Sequence, residues 1–194
     1  MNSYKAYAGV GSRETPADVL ALMTQFAKYM EARGYVLRSG GAPGADTAFE
    51  LGASEKAREV FLPWKGFSSN TSHFERPTVP AMELGDRYHP MLMNLDKASE
   101  KWKSKQVQTL RKLMGRNAHQ VLGWDLGTPA MFVVCWTKDA ADGVKVKTSS
   151  ATGGTGQAIR IAADHGIKVY NVADAAVRKL IEAKMAGMQY RDAA

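Results

Sequence analysis

Cysteine and long apolar runs are nearly absent from this sequence of 194 residues. Cys135 is the only cysteine, so an internal disulfide is excluded, and its apolar neighbours favour a small core residue over a nucleophile. The longest uncharged apolar stretch covers 129–136, far short of the roughly 20 residues that a membrane span needs. The amino terminus shows no apolar segment of about 7 to 15 residues before a cleavage site. We therefore expect a cytoplasmic protein that makes no membrane contact.

Patterns for metals and for common cofactors are also missing. The four histidines, at positions 73, 89, 119 and 165, do not have the spacing of metal ligands, and no metal is predicted. A dinucleotide fingerprint that starts at Gly9 and Gly11 would need a third glycine where Glu14 stands, and no Walker A lysine is present. A redox cofactor or an ordinary ATPase activity is therefore not expected, and we predict no cofactor.

Acidic residues are fewer than basic residues in this sequence. The chain has 26 lysines and arginines against 19 aspartates and glutamates, a net charge of +7, which favours an anionic partner such as a nucleotide or nucleic acid. Solubility alone is the competing interpretation. Seven of the basic residues fall between 97 and 116, a run that on a solvated helix is usually only surface. The apolar fraction of 45% is enough for a globular core.

Strand and helix patterns alternate along the chain. Strand patterns at 4–10, 35–39, 59–62, 130–136 and 167–172 are separated by connections too long for hairpins. Helices are predicted after Thr15 and Asp46 as N-caps, at 97–114, from 156 and at 174–186. Such alternation predicts an α/β fold with a mainly parallel sheet, formed by one domain over 1–194. Repeated prolines and glycines predict an irregular excursion at about 63–96.

Three segments rich in glycine lie between a predicted strand and the next helix. We name them the first (9–13), second (39–46) and third (152–157) glycine loops. In a parallel sheet these loops share one edge, where ligands bind. Glycine lets backbone N–H groups approach a phosphate, helix N-termini add partial positive charge, and the guanidinium of Arg13 could make a bidentate contact. Each glycine could also serve only to turn the chain, but three such loops together favour anion binding.

Several segments carry a family resemblance: AGVGSRETP, LRSGGAPGADTAFE, FLPW, GRN at 115–117 and ATGGTGQAIRIAADHGIKVYNV. They resemble the SLOG superfamily of Rossmann-like proteins, in its DprA-like and YspA-like branches, which often occur in phage and mobile-element genomes. The resemblance implies a five-stranded sheet in the order 3-2-1-4-5, a homodimer or higher homo-oligomer, and a nucleotide-related ligand above strands 1 and 4. It places the ligand near these residues: Gly11, Ser12, Arg13, Ser39, Gly40, Gly41, Gly44, Asp46, Arg116, Asn117, Gly153, Gly154, Thr155, Gly156 and Gln157.

The sequence departs from the related LOG nucleotide phosphoribohydrolases, which have a catalytic glutamate in a GGxGTxxE motif. Arg160 stands at the position of that glutamate, and Gln157 replaces the threonine. N-glycosidic cleavage needs a carboxylate to stabilise positive charge or to activate water. Asp46 and Glu50, with Arg116, are the candidates for catalysis. The alternative roles are helix capping for Asp46 and a solvent-facing position for Glu50.

Two functions remain open. The first is binding of a nucleoside monophosphate, an ADP-ribose type ligand or a cyclic nucleotide signal, with sequestration or hydrolysis of its N-glycosidic bond. The second is binding of single-stranded DNA as a recombination accessory protein of DprA type, in which aromatic residues would stack on bases. The same aromatic residues could form a small core under the excursion. They are Trp64, Phe67, Phe74, Tyr88 and Trp102.

Overall fold

The computed structural model describes residues 4–189, which form five strands and seven α-helices. All strand pairs are parallel, and the sheet order is β3-β2-β1-β4-β5. The predicted α/β class, Rossmann-like topology and strand order are therefore confirmed. The strands are β1 (Ala6–Gly9), β2 (Val36–Ser39), β3 (Arg58–Val60), β4 (Phe132–Cys135) and β5 (Lys168–Asn171). The helices are α1 (Ala17–Glu31), α2 (Ala45–Gly52), α3 (Val79–Tyr88), α4 (Glu100–Lys103), α5 (Lys105–Leu122), α6 (Thr155–Asp164) and α7 (Ala175–Gln189).

Two hydrophobic cores cover the two faces of the sheet. Neighbouring residues of a strand point to opposite faces, so Tyr7 and Val134 pack in one core while Ala8 and Val133 pack in the other. The first core joins the sheet to α1, α2 and α7, and the second joins it to α5 and α6. β1 and β4 are buried on both faces, which explains their nearly continuous apolar sequences.

The predicted excursion at 63–96 contains α3, so it is not irregular throughout. The predicted helix at 97–114 is also divided, because α4 ends before Ser104 and α5 continues past Gly115 to Leu122. A Cβ on Gly85 would lie 2.9 Å from the carbonyl carbon of Met114, and one on Gly115 would lie 2.8 Å from Cγ of Met82. These two glycines allow α3 and α5 to approach closely, whereas the sequence pattern treats them as breaks.

Both predicted N-caps are wrong. Pro16 occupies the N-cap position of α1, and the hydroxyl of Thr15 donates to the Ser12 carbonyl at 2.7 Å. Gly44, with φ of 92°, is the N-cap of α2. Asp46 lies inside the first turn of that helix, where its carboxylate accepts from the amide of Ala42 at 3.2 Å. Its side chain therefore holds the preceding loop rather than the end of the helix.

The predicted domain also includes residues 1–3 and 190–194, which lie outside the described residues. Between 4 and 189, no helix has the length and apolar character required to cross a bilayer.

Candidate functional site

A cleft of about 350 Å³ opens where the glycine loops meet the C-terminal half of α5. Its volume falls within the range of roughly 300–1,000 Å³ that is common for small-molecule sites. All three glycine loops contribute to its lining, so the structure brings them together as the topology predicts. Of the predicted site residues, these line the cleft: Gly11, Ser12, Arg13, Asp46, Arg116, Asn117, Gly154 and Thr155. The others lie outside its lining: Ser39, Gly40, Gly41, Gly44, Gly153, Gly156 and Gln157.

The first glycine loop keeps its donors available. The amides of Gly11, Ser12 and Arg13 donate to no acceptor among residues 4–189. The side chain of Arg13 is exposed, and within the same range it has no hydrogen bond or ion pair. Its neighbour Glu14 is paired instead with Lys138, at 2.7 Å. The first loop therefore presents one unpaired cation and three unpaired amides at the cleft.

In the second glycine loop, buried carboxylates satisfy the hydroxyl of Ser39 and the amides of Gly41 and Ala42. The carboxylate of Glu50 accepts from the hydroxyl of Ser39 at 2.5 Å and from the amide of Gly41 at 3.1 Å. Asp46 accepts from Ala42 as described above. Glu50 is only 9% exposed, so its predicted solvent-facing position is wrong. Two buried carboxylates thus use these donors of the loop, which are not available to a ligand phosphate.

Arg116 connects the second loop to α5. Its Nη1 donates to the Gly40 carbonyl at 2.9 Å, and its Nη2 donates to Oδ1 of Asn117 at 2.8 Å. A Cβ on Gly40 would lie 2.7 Å from the guanidinium carbon, so glycine leaves the space that this arginine fills. Nη1 is also 3.7 Å from Oδ2 of Asp46. The side chain is therefore fixed in the wall of the cleft.

Burial dominates the electrostatics of this wall. It raises the pKa of Asp46 to about 6, an effect that the charge of Arg116 opposes and that of Glu50 reinforces. Burial also raises the pKa of Glu50 and lowers the pKa of Arg116. A carboxyl group that lines the cleft and titrates near neutral pH has the property required of a general acid or base.

The third glycine loop is open. Gly153 and Gly154 are exposed, and a Cβ added to either would meet no atom within 4 Å. In the described chain, the amides of Gly154 and Thr155 have no acceptor, and no side chain caps α6. The partial positive charge of this helix N-terminus, about half a unit, therefore faces the cleft.

A side-chain network fixes the approach to this open loop. Ser149 and Thr152 form a capping box, and the hydroxyls of both donate to the carboxylate of Asp139. Because these bonds hold residues 149–152 in one conformation, the two free amides that follow are held in place before any ligand arrives.

Gln157 and Arg160, which stand at the threonine and glutamate positions of the GGxGTxxE motif, have structural roles. The amide nitrogen of Gln157 donates to the carbonyls of Gly85 at 3.2 Å and Met114 at 3.1 Å, which ties α6 to α3 and α5. Arg160, at the position of the missing glutamate, donates to the Tyr88 carbonyl at 2.8 Å and the Thr148 hydroxyl at 2.9 Å. This part of the motif therefore stabilises the fold beside the cleft.

Gln120 is a cleft residue that the sequence analysis missed. It lies one helical turn beyond Arg116 and Asn117 on the same face of α5, is 1% exposed and lines the cleft. Both polar atoms of its side-chain amide lack a hydrogen-bond partner among the described residues. The spacing i, i+3 and i+4 could have revealed it, but the predicted helix ended at Met114.

The basic run between 97 and 116 is partly committed to the fold. Arg111 makes a bidentate contact with the buried carboxylate of Asp86, with Nη2 2.8 Å from Oδ2, and lies over the ring of Trp102. Lys103 is 2.8 Å from Glu100. The remaining exposed cations of this run are Lys97, Lys101, Lys105 and Lys112.

The aromatic residues near the excursion pack against other side chains. Trp102 is 8% exposed and Phe67 is 7% exposed. Phe74 packs against Phe61 and Trp124, with ring centroids 4.9 Å and 5.1 Å apart. These contacts match the interpretation as a small core under the excursion, although Trp64, Phe74 and Tyr88 are half-buried and keep part of their ring surface exposed.

His119 is also structural. Its Nε2 accepts from the amide of Thr78 at 3.1 Å, and its Nδ1 lies 3.0 Å from the Gly123 carbonyl. This arrangement requires the neutral ring with the proton on Nδ1. Burial lowers the pKa of His119, which favours the same neutral form.

Comparisons with known proteins show the fold. No family model matches the chain, and no curated protein matches it. A similar solved structure is DNA processing protein A from Helicobacter pylori, with a TM-score of 0.52 and 13% identity, covering 96% of this chain and 81% of that one. The study of that protein describes its single-stranded DNA binding mode. At this identity the likeness establishes a DprA-like, Rossmann-like fold.

Proposed function

We propose that the cleft binds a phosphorylated nucleotide or a nucleotide-derived ligand through the first and third glycine loops. The observation that carries the proposal is the set of unpaired donors on both sides of the cleft. Arg13 and the amides of 11–13 lie on one side, and the amides of Gly154 and Thr155 at the start of α6 lie on the other. Charged and backbone donors that converge on a concave site are suited to a phosphate group.

The rest of the cleft suits the remainder of such a ligand. Leu113 and Ala158 add apolar surface, while Asn117 and Arg116 add polar groups. Ligand sites commonly combine apolar walls with a few polar groups that fix orientation. A nucleoside monophosphate, an ADP-ribose type ligand and a cyclic nucleotide signal share this chemistry.

The direct test is calorimetric titration with a panel of these three ligand types. We expect at least one to bind, and we expect Arg13→Ala to weaken it by roughly 10- to 100-fold, the contribution of a charged hydrogen bond of about 1.5–3 kcal/mol. Arg87→Ala is the matched control, because Arg87 is exposed on α3 and does not line the cleft. Equal binding by wild-type protein and Arg13→Ala would contradict the proposal.

Turnover is a separate part of the proposal. Asp46 has a carboxyl group with a pKa of about 6 and lines the cleft. This side chain would therefore act in N-glycosidic hydrolysis, in place of the glutamate that is missing at position 160. Chromatography of incubated nucleotides would reveal free base. Release that persists in Asp46→Asn would exclude this role, and no release from any nucleotide would leave a protein that sequesters its ligand.

A second candidate is binding of single-stranded DNA, which the Helicobacter pylori neighbour favours. The exposed lysines at 105 and 112 lie on α5, whose later residues line the cleft, so they could neutralise backbone phosphates. Oligo(dT) binding with a steep dependence on salt, weakened by Lys105→Ala and Lys112→Ala, would support this candidate. Binding of a mononucleotide without oligo(dT) binding would contradict it.

A further inference from the structure

The unpartnered amide of Gln120 lies at the wall of the cleft. Both its acceptor, Oε1, and its donor, Nε2, lack a partner among the described residues, although Gln120 is 1% exposed. A buried amide without hydrogen bonds is costly, and native proteins contain few such groups. The protein uses neither atom and both are shielded from solvent, so a ligand that offers one donor beside one acceptor would satisfy the whole group once the cleft wall shifts.

The neighbouring amides differ from Gln120 in this respect. Asn117 accepts from Arg116 through Oδ1, and its Nδ2 lies 3.4 Å from the Gly154 carbonyl. Gln157 donates to two carbonyls through Nε2, and its unpaired Oε1 lies outside the cleft lining. Packing therefore explains the amides of Asn117 and Gln157, but it does not explain that of Gln120.

Apolar side chains share the lining of the cleft with this amide. Val10, Met114 and Ala158 line the same cleft as Gln120. A planar ring system fits between apolar walls, and a single polar group there can select one ring from another by its hydrogen-bonding edge.

We infer that Gln120 determines specificity by contacting the base of the bound nucleotide, and that this base is adenine. A glutamine amide pairs with adenine through two hydrogen bonds, accepting from N6 and donating to N7. On that same edge a 6-keto purine offers O6 and N7, which are both acceptors, so it could pair with both amide atoms only by turning its O6 and N1–H edge toward Gln120. The inference rests on the proposed function, because it requires the phosphate to bind at the first and third glycine loops.

The test compares adenosine and inosine 5′-monophosphates, which differ at position 6 of the base, and uses ribose 5-phosphate as the ligand without a base. We expect wild-type protein to bind the adenosine nucleotide about tenfold or more tightly than the inosine nucleotide. Gln120→Met has a side chain of similar length without the amide, so it should bring this ratio close to one. Ribose 5-phosphate should bind wild-type protein and Gln120→Met equally.

The outcomes distinguish a failure of the adenine inference from a failure of the proposed function. Equal binding of the two nucleotides by wild-type protein overturns the adenine inference, and this measurement needs no variant to fold. Loss of ribose 5-phosphate binding in a folded Gln120→Met would mean that Gln120 contacts the sugar, which also overturns it. In both cases, binding that depends on Arg13 leaves the proposed function intact. No binding of any of the three ligands by wild-type protein would also overturn the inference, whereas the proposed function falls only if the ADP-ribose type and cyclic nucleotide ligands of the calorimetric panel fail to bind as well.

Discussion

The second and third glycine loops have similar sequences and opposite environments. In the second loop, protein atoms fill the space beside Gly40 and Gly44, and the amides of 41 and 42 donate to buried carboxylates. In the third loop, the space beside Gly153 and Gly154 is empty, and the start of α6 keeps free amides. Glycine is thus required by packing in one loop and leaves access to the cleft in the other.

We expect the largest difference between the two loops when a glycine of each is replaced by alanine and the free energy of unfolding is measured. Gly44 has φ of 92°, and a Cβ there would lie 2.8 Å from Cα of Arg13. We expect Gly44→Ala to reduce the free energy of unfolding by about 2–4 kcal/mol, from backbone strain and overpacking. Gly154→Ala should change it by less than about 1 kcal/mol, because a φ of −63° and open space beside the Cβ suit alanine and offset its weaker preference for the N-cap. Denaturant titrations measure both values, and equal losses would contradict the contrast.

Removal of a carboxylate should show that the second loop depends on acceptors from the protein. Glu50→Leu would leave the hydroxyl of Ser39 and the amide of Gly41 buried without a partner. We expect a loss of about 2–3 kcal/mol in the free energy of unfolding. Glu50→Gln, which keeps Oε1 as an acceptor, should lose less. An equal loss in the two variants would mean that the charge, rather than the acceptor, stabilises the loop.

The two loops should also differ in how stability depends on pH. Burial raises the pKa of Asp46 from 3.8 to about 6, so the folded protein binds this proton more tightly than the unfolded chain does. Its contribution to stability is therefore present below about pH 4 and is lost as the pH rises through 6. Relative to Asp46→Asn, wild-type protein should lose roughly 1–3 kcal/mol between pH 4 and pH 7.

Asp139, which supports the third loop, provides the control for this measurement. Burial acts to raise its pKa, but hydrogen bonds from Ser149 and Thr152 outweigh that effect and lower the pKa to about 2. Its contribution is present above about pH 4 and is lost as the pH falls toward 2. Asp139→Asn should therefore leave the profile between pH 4 and 7 unchanged in shape. If the difference in stability between wild-type protein and Asp139→Asn changed with pH in that window in the same way as the difference for Asp46→Asn, the assignment would be contradicted.

The sheet could be predicted from sequence because its signals are local. Apolar strands followed by helical patterns determine parallel connections, and the resemblance implied the strand order that the structure shows. The helices α3 and α5 were harder to predict because Gly85 and Gly115 interrupt their apolar patterns. Each glycine nevertheless lies within a helix, at the contact between α3 and α5. A sequence does not distinguish a glycine that ends a helix from one that lets two helices approach.

The site was predictable in its location but not in its internal assignments. Three loops at one sheet edge could be placed by topology, and Arg13 is unpaired as anion binding requires. Which donors are free depends on contacts between distant residues, such as Glu50 with Gly41, which no local pattern shows. Gln120 was missed for the same kind of reason, since its place in the cleft depends on α5 continuing past Gly115.

The most direct test of the account is a titration of the protein with adenosine 5′-monophosphate, followed through the backbone amide resonances. We expect shifts at the residues whose amides are free, which are Gly11, Ser12, Arg13, Gly154 and Thr155. No direct effect is expected at Gly41 or Ala42, whose amides donate to protein carboxylates. Shifts concentrated at Gly41 and Ala42, or no shift at the five free amides at saturating ligand, would contradict it.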